Sequence, residues 1–424
     1  MSKFYLSFIC LVSVLSSYCQ ASEESFRQDS LPLTMQQVED SFLTKNLSLI
    51  AQKYSIDSAK ATVITARLYN NPEFDYQNQF YNQVDHKFLD VERSFQVSQL
   101  ITMARKRNKA IQLATSGIDI AAGQFYDLLR TLRYVVRNDF YNIYFLEQSS
   151  KLYQLEISSL RDLVPVFEEQ VRKGYLAADE VIRIKSQLYT LQAEFNDLQN
   201  NIDNVQAELK ILIRADGNSY IIPIDNVDAL GQNIVSKTSY QELIDSAIAI
   251  RPDLKVLNAG ITFSQNNLVL QKALAKPDIT VSAAYDRFGS YVPNYNSIGI
   301  GVPIPLFNRN QGNIKNAQIQ INVSKVEYES GLDKVKSDVT TSFITAFRSE
   351  KLLLSFDPEF DTDLRQLIDQ VLINYQKKNI TMLEFLDYYD SYKQNVLQLN
   401  QLRYNKMNAL EQLNFSIGKI FFNK

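Results

Sequence analysis

Apolar residues recur at alternating steps of three and four along two long stretches in the first half of the chain. This is the heptad pattern of helices that pack as coiled coils. The stretches 104–173 and 176–213 are separated by a short segment with Gly174, and glycine can end a helix in a left-handed turn. The pattern predicts an antiparallel hairpin whose first helix is about 100 Å long. In the second stretch the apolar positions are Val181, Ile184, Leu188, Leu191, Phe195, Leu198, Ile202, Val205, Leu209 and Leu212.

The second half predicts a similar hairpin over 310–376 and 380–417, with less regular spacing. Asp357-Pro358 predicts a break in the first of these two stretches, because proline can open a new helix. The turn is expected at Lys377-Lys378-Asn379, where Asn379 can take a left-handed conformation in place of glycine.

Four shorter segments alternate between apolar and polar residues, which predicts strands with one apolar face. They are 72–82, 88–101, 277–287 and 296–306, joined in pairs by the polar loops 82–88 and 288–295. Each is about as long as a tilted strand that crosses a bilayer. The residues expected to face lipid are Phe74, Tyr76, Phe80, Phe95, Val97, Ile279, Val281, Tyr285, Ile298, Ile300 and Val302.

The same order of segments occurs twice, at a constant offset. Asp40 matches Asp245 and Pro72 matches Pro277, both 205 positions apart. We therefore expect an internal two-fold repeat. The predicted units are a first repeat over 33–213, a linker over 214–236 and a second repeat over 238–418.

The first residues are typical of a signal peptide, predicted over 1–21. Lys3 precedes the apolar run from Phe4 to Leu15, and cleavage is expected after Cys19 or Ala21. Lipidation of Cys19 is the alternative, but Tyr18 occupies a position that normally takes a small residue. No later stretch is apolar for long enough to be a membrane-spanning helix. An exported protein of this kind is secreted, periplasmic or built into an outer membrane as a barrel.

Composition excludes several classes of function. The net charge of −3 gives no electrostatic case for nucleic acid, and the single histidine, His86, makes a histidine-based metal or acid–base centre unfavourable. The sequence has no phosphate-binding glycine loop, and both cysteines lie in the leader. We therefore predict a protein that is not an enzyme and has no cofactor and no metal.

Amphipathic hairpins are common on soluble cores, and one such hairpin alone would favour that interpretation. Two hairpins at repeat-related positions, behind a signal peptide and beside very long helices, favour a barrel wall with lipid outside. Four strands do not close a barrel, because open edges in lipid leave backbone groups unpaired. The predicted fold is mainly α, with four strands from each of several subunits contributed to one transmembrane β-barrel.

Three local segments resemble the TolC-type outer membrane efflux family, in particular its CzcC-like heavy-metal and multidrug branch. They are Ala249-Ile250-Arg251-Pro252-Asp253-Leu254, the segment from Val302 to Gly312, and Lys173-Gly174 with Asp179-Glu180-Val181 after it. The resemblance extends from about Leu33 to Gly418. It implies a homotrimer with a twelve-stranded barrel in the outer membrane and a helical tunnel in the periplasm. It also implies a periplasmic adaptor protein and an inner-membrane pump, of the RND type, as partners.

The resemblance further implies a periplasmic entrance at the hairpin tips. The tip residues expected to contact the adaptor are Arg172, Lys173, Gly174, Lys377, Lys378 and Asn379. An acidic constriction is implied at Glu384 and Asp387, with Asp390 one turn further. The family usually has Asp where Glu384 stands and glycine where Lys378-Asn379 stands. The alternative is that these carboxylates form an ordinary solvated helix face and that the cations stabilise helix ends.

The function implied is a passive exit duct in a tripartite efflux system. A protein-secretion exit duct and a periplasmic coiled-coil scaffold without a pore are the alternatives. Metal cations and drugs both remain open as substrates.

Overall fold

The structure is a computed structural model that describes residues 29–79, 92–224, 233–288, 292–357 and 359–422. The predicted signal peptide, with Cys19, lies outside these residues, as do Phe80 and His86. The described chain is mainly helical, as predicted. The helices are α1 (Met35–Lys45), α2 (Leu47–Arg67), α3 (Lys106–Arg172), α4 (Ala178–Ile213), α5 (Tyr240–Ile250), α6 (Pro252–Leu274), α7 (Gln311–Leu354), α8 (Phe360–Gln376) and α9 (Met382–Ile417). The strands are β1 (Asp29–Leu33), β2 (Glu73–Gln79), β3 (Glu92–Ile101), β4 (Ser219–Pro223), β5 (Ile279–Phe288) and β6 (Pro293–Gly301).

The long helical hairpin of the first half is confirmed. Helix α3 has 67 residues and continues through Pro165, so its length is about 100 Å. Helix α4 packs antiparallel along it and buries its predicted apolar stripe at Ile184, Leu188 and Leu191. The predicted break in the second hairpin is also present, since α7 ends at Leu354 and α8 begins at Phe360.

Both hairpin turns have the same backbone hydrogen bonds. The amide of Gly174 donates to the carbonyl of Val171, and that of Tyr175 donates to Gln170. In the second turn the amide of Lys378 donates to Tyr375, and that of Asn379 donates to Asn374. Each set is a Schellman motif, which satisfies the last carbonyls of a helix and requires one left-handed residue.

The left-handed residue of the second turn is Lys378, with φ of 60°, so its assignment to Asn379 was wrong. Lys378 occupies the position that Gly174 occupies in the first turn, where φ is 74°. The hydrogen bonds fix which residue must be left-handed, and the side-chain preference of Asn379 is not enough to move that position. The left-handed conformation strains a lysine, because its Cβ approaches the following carbonyl oxygen.

Four of the strands form one antiparallel sheet in the order β2-β3-β5-β6. Phe74 lies opposite Val97, Phe95 opposite Tyr285, and Val281 opposite Ile300. This register places the predicted apolar residues that lie within described strands on a single face. They are Phe74, Tyr76, Phe95, Val97, Ile279, Val281, Tyr285, Ile298 and Ile300, and the polar Asn78, Arg93, Gln99 and Asn296 share the face with them.

The fourth strand ends earlier than predicted, and Val302 was wrongly included in it. The last pair of the ladder is Thr280 with Gly301. Pro303 and Pro305 follow, and proline has no backbone N–H to donate to a ladder. The strand instead begins earlier than predicted, at Pro293.

Two short strands and two short helices lie against the middle of the long helices. Strands β1 and β4 pair in parallel, and α1 and α5 pack beside them against the long helices. Glu350 of α7 is fully buried and accepts hydrogen bonds from the backbone amides of Ile234, Val235 and Ser236, each at 2.9 Å. These bonds hold the segment before α5 against α7, and they help to keep the pKa of Glu350 below its usual range against the effect of burial.

A buried carboxyl group lies between α3 and α9. Glu156 is 2% exposed, and neither of its carboxylate oxygens has a hydrogen-bond partner among the described residues. Burial raises its pKa to about 8, with the charges of Asp390 and Glu194 adding to the effect and that of Lys393 opposing it. The Nζ of Lys393 lies 2.9 Å from Glu194 and 3.2 Å from Asp390, so this lysine already has two carboxylate partners.

None of the helices in the described part of the chain is both long and apolar enough to cross a membrane.

Lys378→Gly is expected to stabilise the second turn by about 1 kcal/mol, because it removes the left-handed strain of a lysine. The measurement is the protection of the amides of residues 377–379 against hydrogen exchange. The matched control is Lys377→Gly, whose residue has an ordinary φ of −81°. The control is expected to lower protection, since glycine adds backbone entropy and relieves no strain there. Equal effects of the two substitutions would contradict the assignment of strain to Lys378.

Glu156 is expected to make its region of α3 less stable as pH rises. Its ordinary pKa is 4.5 and its folded pKa is about 8, so between these values the folded state holds a proton that the unfolded state has lost. Stability therefore falls with pH across this range. Glu156→Gln should flatten the dependence, measured as hydrogen-exchange protection over residues 150–160 after correction for the intrinsic rate. Asp162→Asn, at an exposed carboxylate on the same helix, should leave it unchanged. If Glu156→Gln leaves the slope unaltered, the group is charged throughout.

Candidate functional site: the paired tips of the helical hairpins

The two hairpin turns lie side by side because an aromatic cluster joins them. The ring of Tyr375 in α8 lies 5.4 Å from Phe167 in α3 and 4.7 Å from Phe385 in α9. Phe385 is fully buried, and Tyr389 packs against it one turn further. The tips of both hairpins are therefore one packed unit, although the residues that join them are about 200 positions apart in sequence.

A polar contact also lies between the tips. The hydroxyl of Tyr375 interacts with the carboxylate of Glu180 in the first turn of α4. Burial and this carboxylate raise the pKa of Tyr375 to about 12. Glu180 thus has a partner in the second hairpin, which the sequence pattern did not reveal.

The predicted basic residues lie on the surface of the tips. Arg172 and Lys173 both pair with Glu169, at 2.6 and 3.3 Å, and all three side chains are exposed. Such exposed pairs contribute little to stability, about 0–1 kcal/mol. Lys378 lies over the ring of Tyr175 with its Nζ 5.8 Å from the ring centroid. The tips therefore present cations to solvent, next to the turn at Gly174.

The side-chain amide of Asn379 donates to the side-chain oxygen of Asn374 at 3.2 Å. Lys377 forms no ion pair within the part of the chain that the structure describes. It is therefore a cation of the second tip whose charge no described carboxylate offsets.

Glu384 has a local structural role at the start of α9. Its backbone amide donates to the hydroxyl of Thr381, and its carboxylate accepts from the amide of Thr381 at 2.7 Å. This reciprocal pair is a capping box. The hydrogen bonds from Thr381 lower the pKa of Glu384. The sequence signal was available as Thr381 followed three residues later by Glu384, and the sequence interpretation missed it.

Asp387 and Asp390 differ from Glu384 and from each other. Asp387 is exposed. Asp390 is half-buried, pairs with Lys393 at 3.2 Å and accepts a hydrogen bond from Gln394 at 2.6 Å. The three carboxylates thus comprise one helix cap, one exposed charge and one partly neutralised charge. Asp387 is the one of the three most available to a partner or a passing ion.

Metal ligation is a separate question from an acidic constriction. Among the described residues, no group of three or more His, Cys, Asp or Glu side chains is placed to hold a metal ion. The carboxylates of one chain at the tip can attract cations, but they do not form a ligand set.

The comparisons with known proteins agree on one family. Residues 243–419 match the family model described as outer membrane efflux protein. The cobalt-zinc-cadmium resistance protein CzcC of Cupriavidus metallidurans is 21% identical over 302 residues, which is 71% of this chain and 70% of that protein.

The fold is similar to those of solved outer membrane channels. CusC has a TM-score of 0.74 at 15% identity, with 95% of this chain and 96% of that chain covered. OprN has a TM-score of 0.71 at 14% identity, with 91% and 89% covered. The open state of MtrE from Neisseria gonorrhoeae has a TM-score of 0.69 at 17% identity, with 91% and 89% covered. These likenesses concern the fold, while the family model and CzcC concern the sequence. Residues 243–419 thus match the outer membrane efflux protein family in sequence, and the described chain has the fold of outer membrane channels.

Proposed function

We propose that this protein is the outer membrane channel-tunnel of a tripartite efflux system, a passive exit duct that is not an enzyme. The observation that carries the proposal is a four-stranded sheet with one apolar face and two open edges, at the end of a set of long helices of which α3 is about 100 Å long. The sheet is the membrane part, and the helices extend from it through the periplasm. A scaffold without a pore has no need of such a sheet.

The open edges of the sheet require further copies of the chain. Strands β2 and β6 each have one neighbour among the described strands. In hydrocarbon an unpaired edge leaves N–H and C=O groups unsatisfied, which costs several kcal/mol for each group. Pairing β6 of one copy with β2 of the next satisfies both edges and forms a closed ring. Three copies with four strands each supply the twelve strands that the family resemblance implies.

The helices have matching exposed apolar surfaces. In the half of the molecule next to the sheet, neighbouring helices pack in the order α2-α3-α6-α7. Helices α2 and α7 are therefore the outer members of this layer. Helix α2 exposes Leu47, Tyr54 and Ile64, and α7 exposes Ile319, Val323 and Val326. In a closed trimer α2 of one copy would meet α7 of the next. The same copies that complete the sheet would thus cover apolar residues that a monomer leaves in water.

A band of exposed apolar residues marks the junction of sheet and helices. Ile304 is 76% and Phe307 is 92% exposed, and Leu306 lies between them. Leu68 and Tyr69, at the end of α2, are also exposed. Aromatic and aliphatic residues at this level are typical of the boundary between hydrocarbon and water. The band fits an outer membrane whose inner surface lies where the sheet meets the tunnel.

The partners follow from the same assignment. The exposed cations at the tips would contact a periplasmic adaptor protein, and an inner-membrane pump of the RND type would supply the energy. The name of CzcC assigns cobalt, zinc and cadmium resistance to that relative. For this chain we propose metal cations or drugs as cargo, with the choice made mainly by the pump. A constriction of carboxylates at Asp387 and Glu384, with Asp390 behind it, would attract cations at the entrance.

The protein extracted in mild detergent is expected to have the native mass of a trimer. The measurement is light scattering coupled to size exclusion, with the detergent contribution subtracted. Ile300→Lys should lower the yield of membrane-inserted trimer, because Ile300 is 73% exposed on the apolar face and a lysine in mid-membrane costs about 2–4 kcal/mol.

Ser297→Lys is the matched control, since it places the same charge on the opposite face of the same strand. We expect it to assemble normally. A monomer that dissolves without detergent would rule out the shared sheet and leave the coiled-coil scaffold as the function. Equal tolerance of both lysines would show that this face does not meet lipid.

Neutralising the proposed constriction is expected to reduce cation selectivity. Asp387→Asn combined with Glu384→Gln should lower the permeability ratio of K⁺ over Cl⁻ severalfold in single-channel recordings. Glutamine at position 384 can still complete the capping box, so this variant removes charge and keeps the helix start.

Thr381→Ala is the matched control for the conductance experiment. It breaks the capping box and keeps both carboxylates, so we expect selectivity to stay close to that of the unaltered protein. If selectivity changes with Thr381→Ala and not with the neutralised variant, Glu384 acts through the helix cap. If neither changes it, the constriction lies elsewhere.

A further inference from the structure

A cavity of about 320 Å³ lies near the middle of α3, away from the hairpin tips. Helix α3, the start of α6 and the end of α9 with the segment after it form its walls. This volume is at the lower end of the range for small-molecule sites. The cavity has no part in the duct as proposed above, so it requires its own explanation.

The lining of the cavity is strongly basic. Five of the lining side chains are cationic, and Glu411 is the one carboxylate among them; the cations are Arg130, Arg133, Arg137, Lys255 and Lys419. A concave surface with such an excess of one charge attracts ions of the opposite sign.

Two of the five cations are neutralised within the chain. Arg137 forms hydrogen bonds with Glu411 at 2.7 Å and with Glu39 at 2.8 Å. Arg130 lies 2.7 Å from Asp127 and donates to the carbonyl of Phe415 at 2.9 Å. These two arginines build the wall of the cavity and are not its free positive charge.

The other three cations have no carboxylate partner in the described part of the chain. The Nε of Arg133 is buried and has no hydrogen-bond acceptor among the residues that the structure describes. Lys255 and Lys419 are exposed, and the Nζ of Lys419 lies 5.5 Å from the ring of Phe421. A buried donor without an acceptor is unfavourable, and a bound anion would offset this cost.

The remaining lining is largely apolar. Tyr126, Leu129, Ile250 and Phe415 face the same space. A bare inorganic ion would leave these groups in contact with water, whereas an organic molecule would cover them. The cavity thus combines uncompensated cations with an apolar surface of about the size of one ring.

We propose that this cavity binds a small organic anion, in which a carboxylate or phosphate group lies against Arg133 and Lys255 and a hydrophobic body lies against Tyr126 and Phe415. The charge and the apolar surface act together in this site. Neither a neutral ring compound nor an inorganic anion would use both.

The test is isothermal titration calorimetry on the full-length protein in an uncharged detergent. The probes are phenyl phosphate, inorganic phosphate and benzyl alcohol. Phenyl phosphate is expected to bind saturably, with one site per chain and about tenfold or more tighter than either of the other two. Absence of saturable binding of phenyl phosphate would overturn the proposal. Equal affinity for inorganic phosphate would overturn the organic part of it, and equal affinity for benzyl alcohol would overturn the anionic part.

Substitutions locate the binding. Arg133→Gln and Lys255→Gln should each weaken phenyl phosphate binding by about tenfold, since each removes a charged hydrogen-bond donor. Arg161→Gln on α3 and Lys272→Gln on α6 are matched controls, because both residues are exposed on the same helices outside the cavity. Circular dichroism and native mass verify that all four variants fold and assemble. Binding that persists in both cavity variants would place the ligand elsewhere and refute the site.

Discussion

Helix α3 changes its neighbours halfway along its length, and buried arginines hold the chain together at that level. Between this level and the sheet, α3 packs against α2 and α6. Between this level and the hairpin tips, it packs against α4 and α9. Arg137 of α3 joins Glu411 of α9 to Glu39 of α1. Arg251, at the start of α6, is 1% exposed and lies 3.0 Å from Asp338 of α7. Removing one partner of such a buried pair typically costs about 3–5 kcal/mol, so the change of neighbours is fixed by charge as well as by shape.

The elements of this fold could be predicted because their signals are local. Heptad spacing identified the long helices, and period-two alternation identified which strand residues share a face. The two wrong predictions arose where backbone hydrogen bonding opposes the preference of the side chains. The apolar alternation continues through Val302, but Pro303 and Pro305 end the ladder before it. Asn379 has the better side chain for a left-handed turn, but the helix hydrogen bonds require that conformation at Lys378.

Residue type alone does not specify the state of each carboxylate in the candidate site. Glu384, Asp387 and Asp390 are equivalent as carboxylates at helical spacing. Their separate states follow from contacts with Thr381 and Lys393. The Thr381 contact lies within one turn and was readable from the sequence. The pairing of Lys393 with Glu194 and the contact of Tyr375 with Glu180 join residues about 200 positions apart, and no periodicity predicts them.

The sheet would constrain assembly of the copies more strictly than the helices would. At the edges of β2 and β6 the unpaired groups are backbone donors and acceptors, which in lipid accept only another strand in register. The exposed side chains of α2 and α7 are aliphatic and aromatic, and such contacts tolerate small shifts. In the proposed trimer the number of copies would therefore be set by closure of the sheet. The helices would then follow the spacing that the sheet imposes, which leaves the tips, farthest from it, with the greatest freedom to move.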